Sequence, residues 1–198
     1  VTQVDLSFDT TYWVEVDLER APRTWVPGVV RERWAEAGVP ADADLLDAVV
    51  HAVVMVVESL HEEEPAPFMA FLLHPDPDDG PLAVVTLRTE SLPGAQTLEE
   101  VAAQLRMPEE LLELPAEERL LDSPAGPVRR IVQRFVTMDE PDDLDGATVT
   151  DAIAYAWVLE DDGNPVVVTV STAFEDHDEA RRWLPQLDEL ALSLTLTP

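Results

Sequence analysis

The clearest hydrophobic pattern lies toward the end of the chain. From Asp151 to Glu160 the larger apolar side chains Ile153, Tyr155, Trp157 and Leu159 take the odd positions, and Ala152, Ala154, Ala156 and Val158 the even ones. A period of two marks a strand. Asp161 to Asn164 follows, and a glycine beside Asp and Asn suits the positive φ angles of a tight hairpin. The valine-rich stretch Pro165 to Phe174 is therefore expected to pair antiparallel with the first. The preceding stretch, Val128 to Met138, puts Val128, Val132, Val136 and Met138 on one face and Ile131 and Phe135 on the other. Neither face is wholly polar, which predicts a sheet covered on both sides. The acidic, turn-like link Asp139 to Gly146 joins this strand to the next.

After Phe174 the period changes. Asp176 and Glu179 have capping-box spacing, and Trp183, Leu184, Leu187, Leu190, Ala191 and Leu194 form one apolar stripe. Gln186, Asp188 and Glu189 are expected to face away. Pro185 cannot donate a backbone hydrogen bond, which predicts a kink or break near Arg181 to Trp183.

Earlier in the chain, Thr11 to Leu18 alternates as a half-buried strand. Trp25 to Ala37 reads as a helix stopped by Gly38, with Trp25, Val26, Val29, Val30 and Trp34 inside and Pro27 in its first turn. Asp44 to His61, capped by Asp42 or Asp44, reads as a second helix. Its run from Leu45 to Val57 has Asp47 and His51 as the only polar positions. The run is too short for a bilayer and has acids on both sides, so a buried core element is expected, with a long strand as the alternative. His51 is then expected as a hydrogen-bonded core histidine. Pro67 to Leu73 and Leu82 to Thr89 read as a hairpin. Thr97 and Glu100 cap a short helix that buries Val101, Ala102 and Leu105. A short helix near Glu109 to Leu114 and a strand around Arg119 to Ser123 complete the pattern. The fold class is α+β, an antiparallel β-sheet flanked by helices on both faces (an α/β/α sandwich), in a single domain over residues 1–198.

Charge changes the picture more than composition does. Forty-one acidic residues oppose 12 basic ones, all arginine, for a formal net charge of -29. Such a surface repels phosphate backbones and anionic membranes, so neither nucleic acid nor membrane is expected as a partner. A solvated acidic surface is favoured over an electrostatic docking role, and it predicts stability that rises with salt. Cysteine is absent, which removes disulfides, thiolate nucleophiles and cysteine metal sites. Val1 to Thr10 lacks the basic start and apolar run of a secretory signal. A cytoplasmic location is expected, or an extracytoplasmic one if a leader has been removed.

Candidate chemistry is sparse. His74, Asp76, Asp78 and Asp79 share one loop, but Pro75 and Pro77 account for it as a hairpin connection and the spacing does not match a calcium loop. Gly146, set at the invariant glycine of a calcium loop, puts Pro141 and Ala152 at ligand positions. His61 beside Glu62 to Glu64 lacks the second histidine of a zincin helix, and His177 reads as part of a surface capping segment. There is no nucleophile elbow, phosphate loop or dinucleotide fingerprint. Neither catalytic residues nor a cofactor are nominated. Among scarce cations, Arg129, Arg130 and Arg134 gather in one strand, with Arg130 and Arg134 on the same face. They are candidates for holding an anionic group or an acidic partner, with pairing to the chain's own acids favoured.

The order of elements resembles a known family. A strand carrying Tyr155 and Trp157, a turn at Asp162 to Asn164, the strand Val166 to Phe174 with Val170, Ser171 and Thr172 near its end, and a last helix with Leu187, Asp188, Leu190, Ala191 and Leu194 resemble the PsbP-like fold. That fold is shared by the photosystem extrinsic protein and the Ran-binding Mog protein, and the match covers the last two thirds of the chain. The resemblance implies an antiparallel sheet between helices and a binding or accessory role, and it carries over no functional residue. The first expectation is a non-catalytic accessory or protein-interaction domain with an unnamed protein partner, as a monomer or weak homodimer. The second is a small-ligand carrier or hydrolytic enzyme with a pocket between the sheet and the 44–61 helix. A cavity of roughly a few hundred cubic ångströms with converging polar groups favours the second, and a filled core with an exposed apolar patch the first.

Overall fold

A computed structural model of the protein describes residues 3–40, 42–91, 94, 96–138, 147–161 and 164–197. The link read over Asp139 to Gly146 and the hairpin residues Asp162 and Gly163 lie outside them. The strands are β1 (Gln3–Asp5), β2 (Trp13–Glu15), β3 (Met69–Leu73), β4 (Ala83–Ser91), β5 (Glu117–Ser123), β6 (Gly126–Met138), β7 (Ala147–Asp161), β8 (Asn164–Phe174) and β9 (Thr195–Thr197). The helices are α1 (Pro22–Glu36), α2 (Ala43–Glu62), α3 (Leu98–Leu105) and α4 (His177–Leu192), with a 3-10 turn at Glu109–Leu111. Seven strands form an antiparallel sheet in the order β2-β3-β4-β8-β7-β6-β5, and β1 pairs with β9 antiparallel. The chain divides into two compact units, Asp9–Thr86 and Val1–Phe8 with Leu87–Pro198.

In the unit Asp9–Thr86 the helices α1 and α2 build one apolar cluster. Trp25, Val26, Val30 and Trp34 of α1 and Val49, Val53, Val54, Val57 and Leu60 of α2 pack with Val14, Ala70 and Leu72. Asp42 caps α2 by accepting from the amides of Asp44 and Leu45. The chain leaves α1 through Ala37 and Gly38, whose φ of 68° is the left-handed conformation that glycine adopts without a Cβ clash. Two expectations are corrected here. Pro22, not Pro27, sits in the first turn of α1, and Pro27 lies inside the helix. His51 is exposed, because it shares the solvent stripe of Asp44, Asp47 and Met55 at helical spacing, while the valines on the other side form the core. The strand read over Thr11 to Leu18 shortens to three residues.

The second unit is organised on β6, β7 and β8. Arg130 pairs with Tyr155 and Tyr155 with Val170, so these three lie on one face of the sheet. Ala156, next to Tyr155, points to the other face and packs with Val101 of α3 and Val167. Tyr155 meets α4 through Asp188. Helices therefore cover both faces of these strands, as the two-sided apolar pattern predicts. Both caps form: Thr97 and Glu100 complete a capping box on α3, and Asp176 accepts from the Glu179 amide at the start of α4. Burying Trp183, Leu187, Leu190 and Ala191 anchors α4, at about 1.5–3 kcal/mol for each large side chain.

Helix α4 departs from expectation in two ways. It runs unbroken from His177 to Leu192 through Pro185, so no break occurs at Arg181 to Trp183. Asp188 does not face away: it turns toward the sheet and binds two of its side chains.

Candidate functional site

The site grows from the face of β6 and β7 beneath α4. Period two puts Arg130, Val132 and Arg134 of β6 on that face, opposite Tyr155, Ile153 and Asp151 of β7. Burying a guanidinium there requires counter-charges. Arg130, with its side chain 4% exposed, donates from Nη1 to Asp188 Oδ2 at 2.6 Å, and its Nη2 lies 3.5 Å from Glu117 Oε1. Tyr155 donates its hydroxyl to the other Asp188 oxygen at 2.7 Å. Burial, followed by the Asp188 charge, raises the Tyr155 pKa far above its ordinary value, so this hydroxyl stays a donor.

Arg134 makes the second pair. It holds Asp151 from Nε and Nη2, at 3.2 Å to Oδ1 and 3.1 Å to Oδ2. The hydrogen bonds to Asp151 raise the Arg134 pKa. His177, the first residue of α4, brings Nδ1 to 3.2 Å from Asp151 Oδ2. Asp151 is thus shared by one arginine and one histidine.

Between these pairs and α4 lies a half-open cleft of about 460 Å³, within the size range of small-molecule sites. Its apolar floor includes Val132 and Ile153, and Leu184 and Pro185 close it from α4. Four of the chain's twelve arginines line it, Arg119, Arg130, Arg134 and Arg181. Leu114 and Pro115 complete one rim. No serine, threonine, tyrosine or cysteine is among the lining residues.

The three nominated arginines are therefore separated. Arg130 and Arg134 meet in the cleft, both paired with acids of the same chain. Arg129 points to the opposite face, where it reaches Glu99 of α3. That face is braced by polar contacts. Arg106 binds both Glu99 and Glu118, and Gln133 accepts from the Met107 amide while donating to the Leu105 carbonyl. The residues of the cleft that were not nominated from the sequence include Asp151, His177, Arg181 and Asp188. Asp151 had a legible signal, a carboxylate at the head of an apolar strand. The other three lie on the helix, where polarity sorts residues outward.

The remaining candidates have structural roles. His74 is buried at 1% exposure, and its Nε2 lies 2.8 Å from the Asp79 carbonyl. Arg33 donates to the Thr10, Thr11 and His74 carbonyls, which ties the same loop down. Burial lowers the His74 pKa. Among the described residues no group of histidines and carboxylates is arranged to hold a metal, and no helix is long and apolar enough to cross a membrane.

No protein-family model matches the chain, and no curated protein matches it. Among solved structures the chain is similar to LpqN of Mycobacterium tuberculosis, a protein involved in cell envelope biogenesis. The likeness is one of fold. Identity is 12%, the TM-score is 0.53, and the match covers 100% of this chain and 85% of that one.

Proposed function

We propose that the protein is a non-catalytic accessory domain that acts by binding a small molecule in the cleft beneath α4. The carrying observation is the cleft itself, a cavity of about 460 Å³ where charged side chains from β5, β6, β7 and α4 converge over an apolar floor. The pocket beside the 44–61 helix is not where this reading places the ligand, since the inward valines of α2 are packed in the core. The absence of a hydroxyl or thiol among the lining residues supports binding over covalent catalysis. The PsbP-like resemblance belongs to the same proposal, as a family of binding and accessory proteins.

A second reading rests on His177 and Asp151, whose contact at 3.2 Å is that of a base and its orienting carboxylate in a hydrolase. Arg134 competes for the same carboxylate, which favours the binding reading. The test is a thermal-shift screen of a small-molecule library on the wild type and on Leu184→Trp, which fills the cleft. Compounds that stabilise the wild type and not the variant support the proposal. Identical hits on both proteins overturn it, and hydrolysis of a library ester that His177→Ala abolishes supports the second reading instead.

A further inference from the structure

The ligand's class follows from how the cleft's charges are balanced, and this inference rests on the proposed binding role. Asp188 takes a hydrogen bond on each oxygen, from Arg130 and from Tyr155, and Asp151 is shared by Arg134 and His177. These pairs neutralise the deep part of the cleft. On its outer part Glu117 lies 2.8 Å from Arg119 and 3.5 Å from the already paired Arg130, and Glu113 lies 3.6 Å from Arg134. The Arg181 side chain, on the α4 wall, forms no hydrogen bond or ion pair among the described residues. Each of the other eleven arginines is engaged by a hydrogen bond, an ion pair or an electrostatic interaction. In addition, Arg130 Nε is buried with no acceptor, although the side chain is 4% exposed. A buried donor left without an acceptor costs about 1–3 kcal/mol, so the deep wall has one N–H donor still to offer.

On a chain of net charge -29 a lone arginine has carboxylates in abundance to pair with. That Arg181 stays unpaired while lining a cavity sets it apart from the eleven that are engaged. We propose that the cleft takes an organic anion, a carboxylate, phosphate or sulfonate on an apolar body. The anionic group sits between Arg119 on β5 and Arg181 on α4, and the body lies against Val132, Ile153 and Leu184. Planar guanidinium groups match such oxyanions with paired N–H donors. The protein's overall field opposes any anion, so a preference for one must come from these local groups.

Two fluorescent probes of similar shape separate the possibilities: 8-anilinonaphthalene-1-sulfonate, an anion, and N-phenyl-1-naphthylamine, its neutral counterpart. Both are titrated against the folded wild-type chain, Arg119→Gln/Arg181→Gln, Arg182→Gln and Leu184→Trp, with the fold of each variant checked by circular dichroism. The expected result is at least tenfold tighter binding of the sulfonate than of the neutral dye by the wild type. The double variant should lose that tenfold while the neutral dye changes less than twofold. Arg182 lies outside the cleft lining and pairs with Glu179, so Arg182→Gln removes the same sign of charge and should leave both dyes within twofold. Neutral dye bound as tightly as the sulfonate, or a double variant with unchanged sulfonate affinity, would overturn the anion assignment and leave the cleft as the binding site. Unchanged binding of both dyes by Leu184→Trp would instead overturn the cleft reading itself.

Discussion

The two helical faces of this protein solve the same packing problem with different materials. In the unit Asp9–Thr86, α2 presents Val49, Val53, Val54, Val57 and Leu60, and the tryptophans and valines of α1 fill what remains. In the other unit, α4 buries a comparable stripe but also turns Asp188 inward, against Arg130 and Tyr155. Apolar side chains interdigitate and leave no room. Polar ones hold fixed distances, and here they prop helix and sheet apart over a cavity of about 460 Å³. One face therefore stabilises, and the other offers a place to bind.

The contrast is broken most directly in the dry face. Trp34→Ala should cost about 3–5 kcal/mol in urea unfolding, through lost burial and a cavity that cannot collapse, without changing dye affinity in the folded fraction. On the polar face Arg130→Gln should cost about 3 kcal/mol, since it leaves Asp188 with a single donor in a partly buried site. The triple variant Arg130→Met, Asp188→Leu, Tyr155→Phe should recover to within about 1 kcal/mol of wild type, because well-packed apolar groups replace an ion pair at little net loss. A triple variant no more stable than Arg130→Gln would show that the network contributes more than charge neutralisation.

Smaller effects sharpen the comparison. His74 is neutral and buried, with a pKa below the ordinary 6.5 of the unfolded chain. The unfolded state therefore binds the proton more readily. Its contribution to stability is complete above pH 6.5 and is lost as the pH falls toward the lowered folded value. His74→Gln, which can still donate to the Asp79 carbonyl, should flatten the dependence of the melting temperature on pH in that window. An unchanged slope would count against a buried neutral histidine. Raising salt should raise the melting temperature of the wild type by screening a net charge of -29, and a flat response would contradict the self-repulsion argument. Arg181→Gln should change stability by less than about 0.5 kcal/mol, the smallest effect of the series, because nothing among the described residues holds that side chain.

What was legible in the sequence divides along the same line. Strands β6, β7 and β8, the caps Asp42, Thr97 and Asp176 and the apolar stripe of α4 all follow from local periodicity and local hydrogen bonding. The site did not, because it depends on partners far apart in the chain. Asp188 reads as a solvent residue until Arg130, 58 positions away, is placed beneath it. Arg130 and Arg134 could be named from their shared parity on one strand, but their counter-charges could not. The exposure of His51 is hidden for a different reason: the run around it is so apolar that the narrow solvent stripe through Asp47, His51 and Met55 carries little signal. Strands β1 and β9 are three residues each and pair across nearly the whole chain, which no local pattern encodes.

The most direct test of the central claim is a titration of the isotope-labelled chain with the naphthalene sulfonate, followed by amide chemical shifts in two-dimensional NMR spectra. The account predicts saturable shifts confined to residues 114–119, 130–134, 151–153 and 177–188, which carry the cleft. Shifts centred on α1 and α2, or spread evenly over both units, would contradict it.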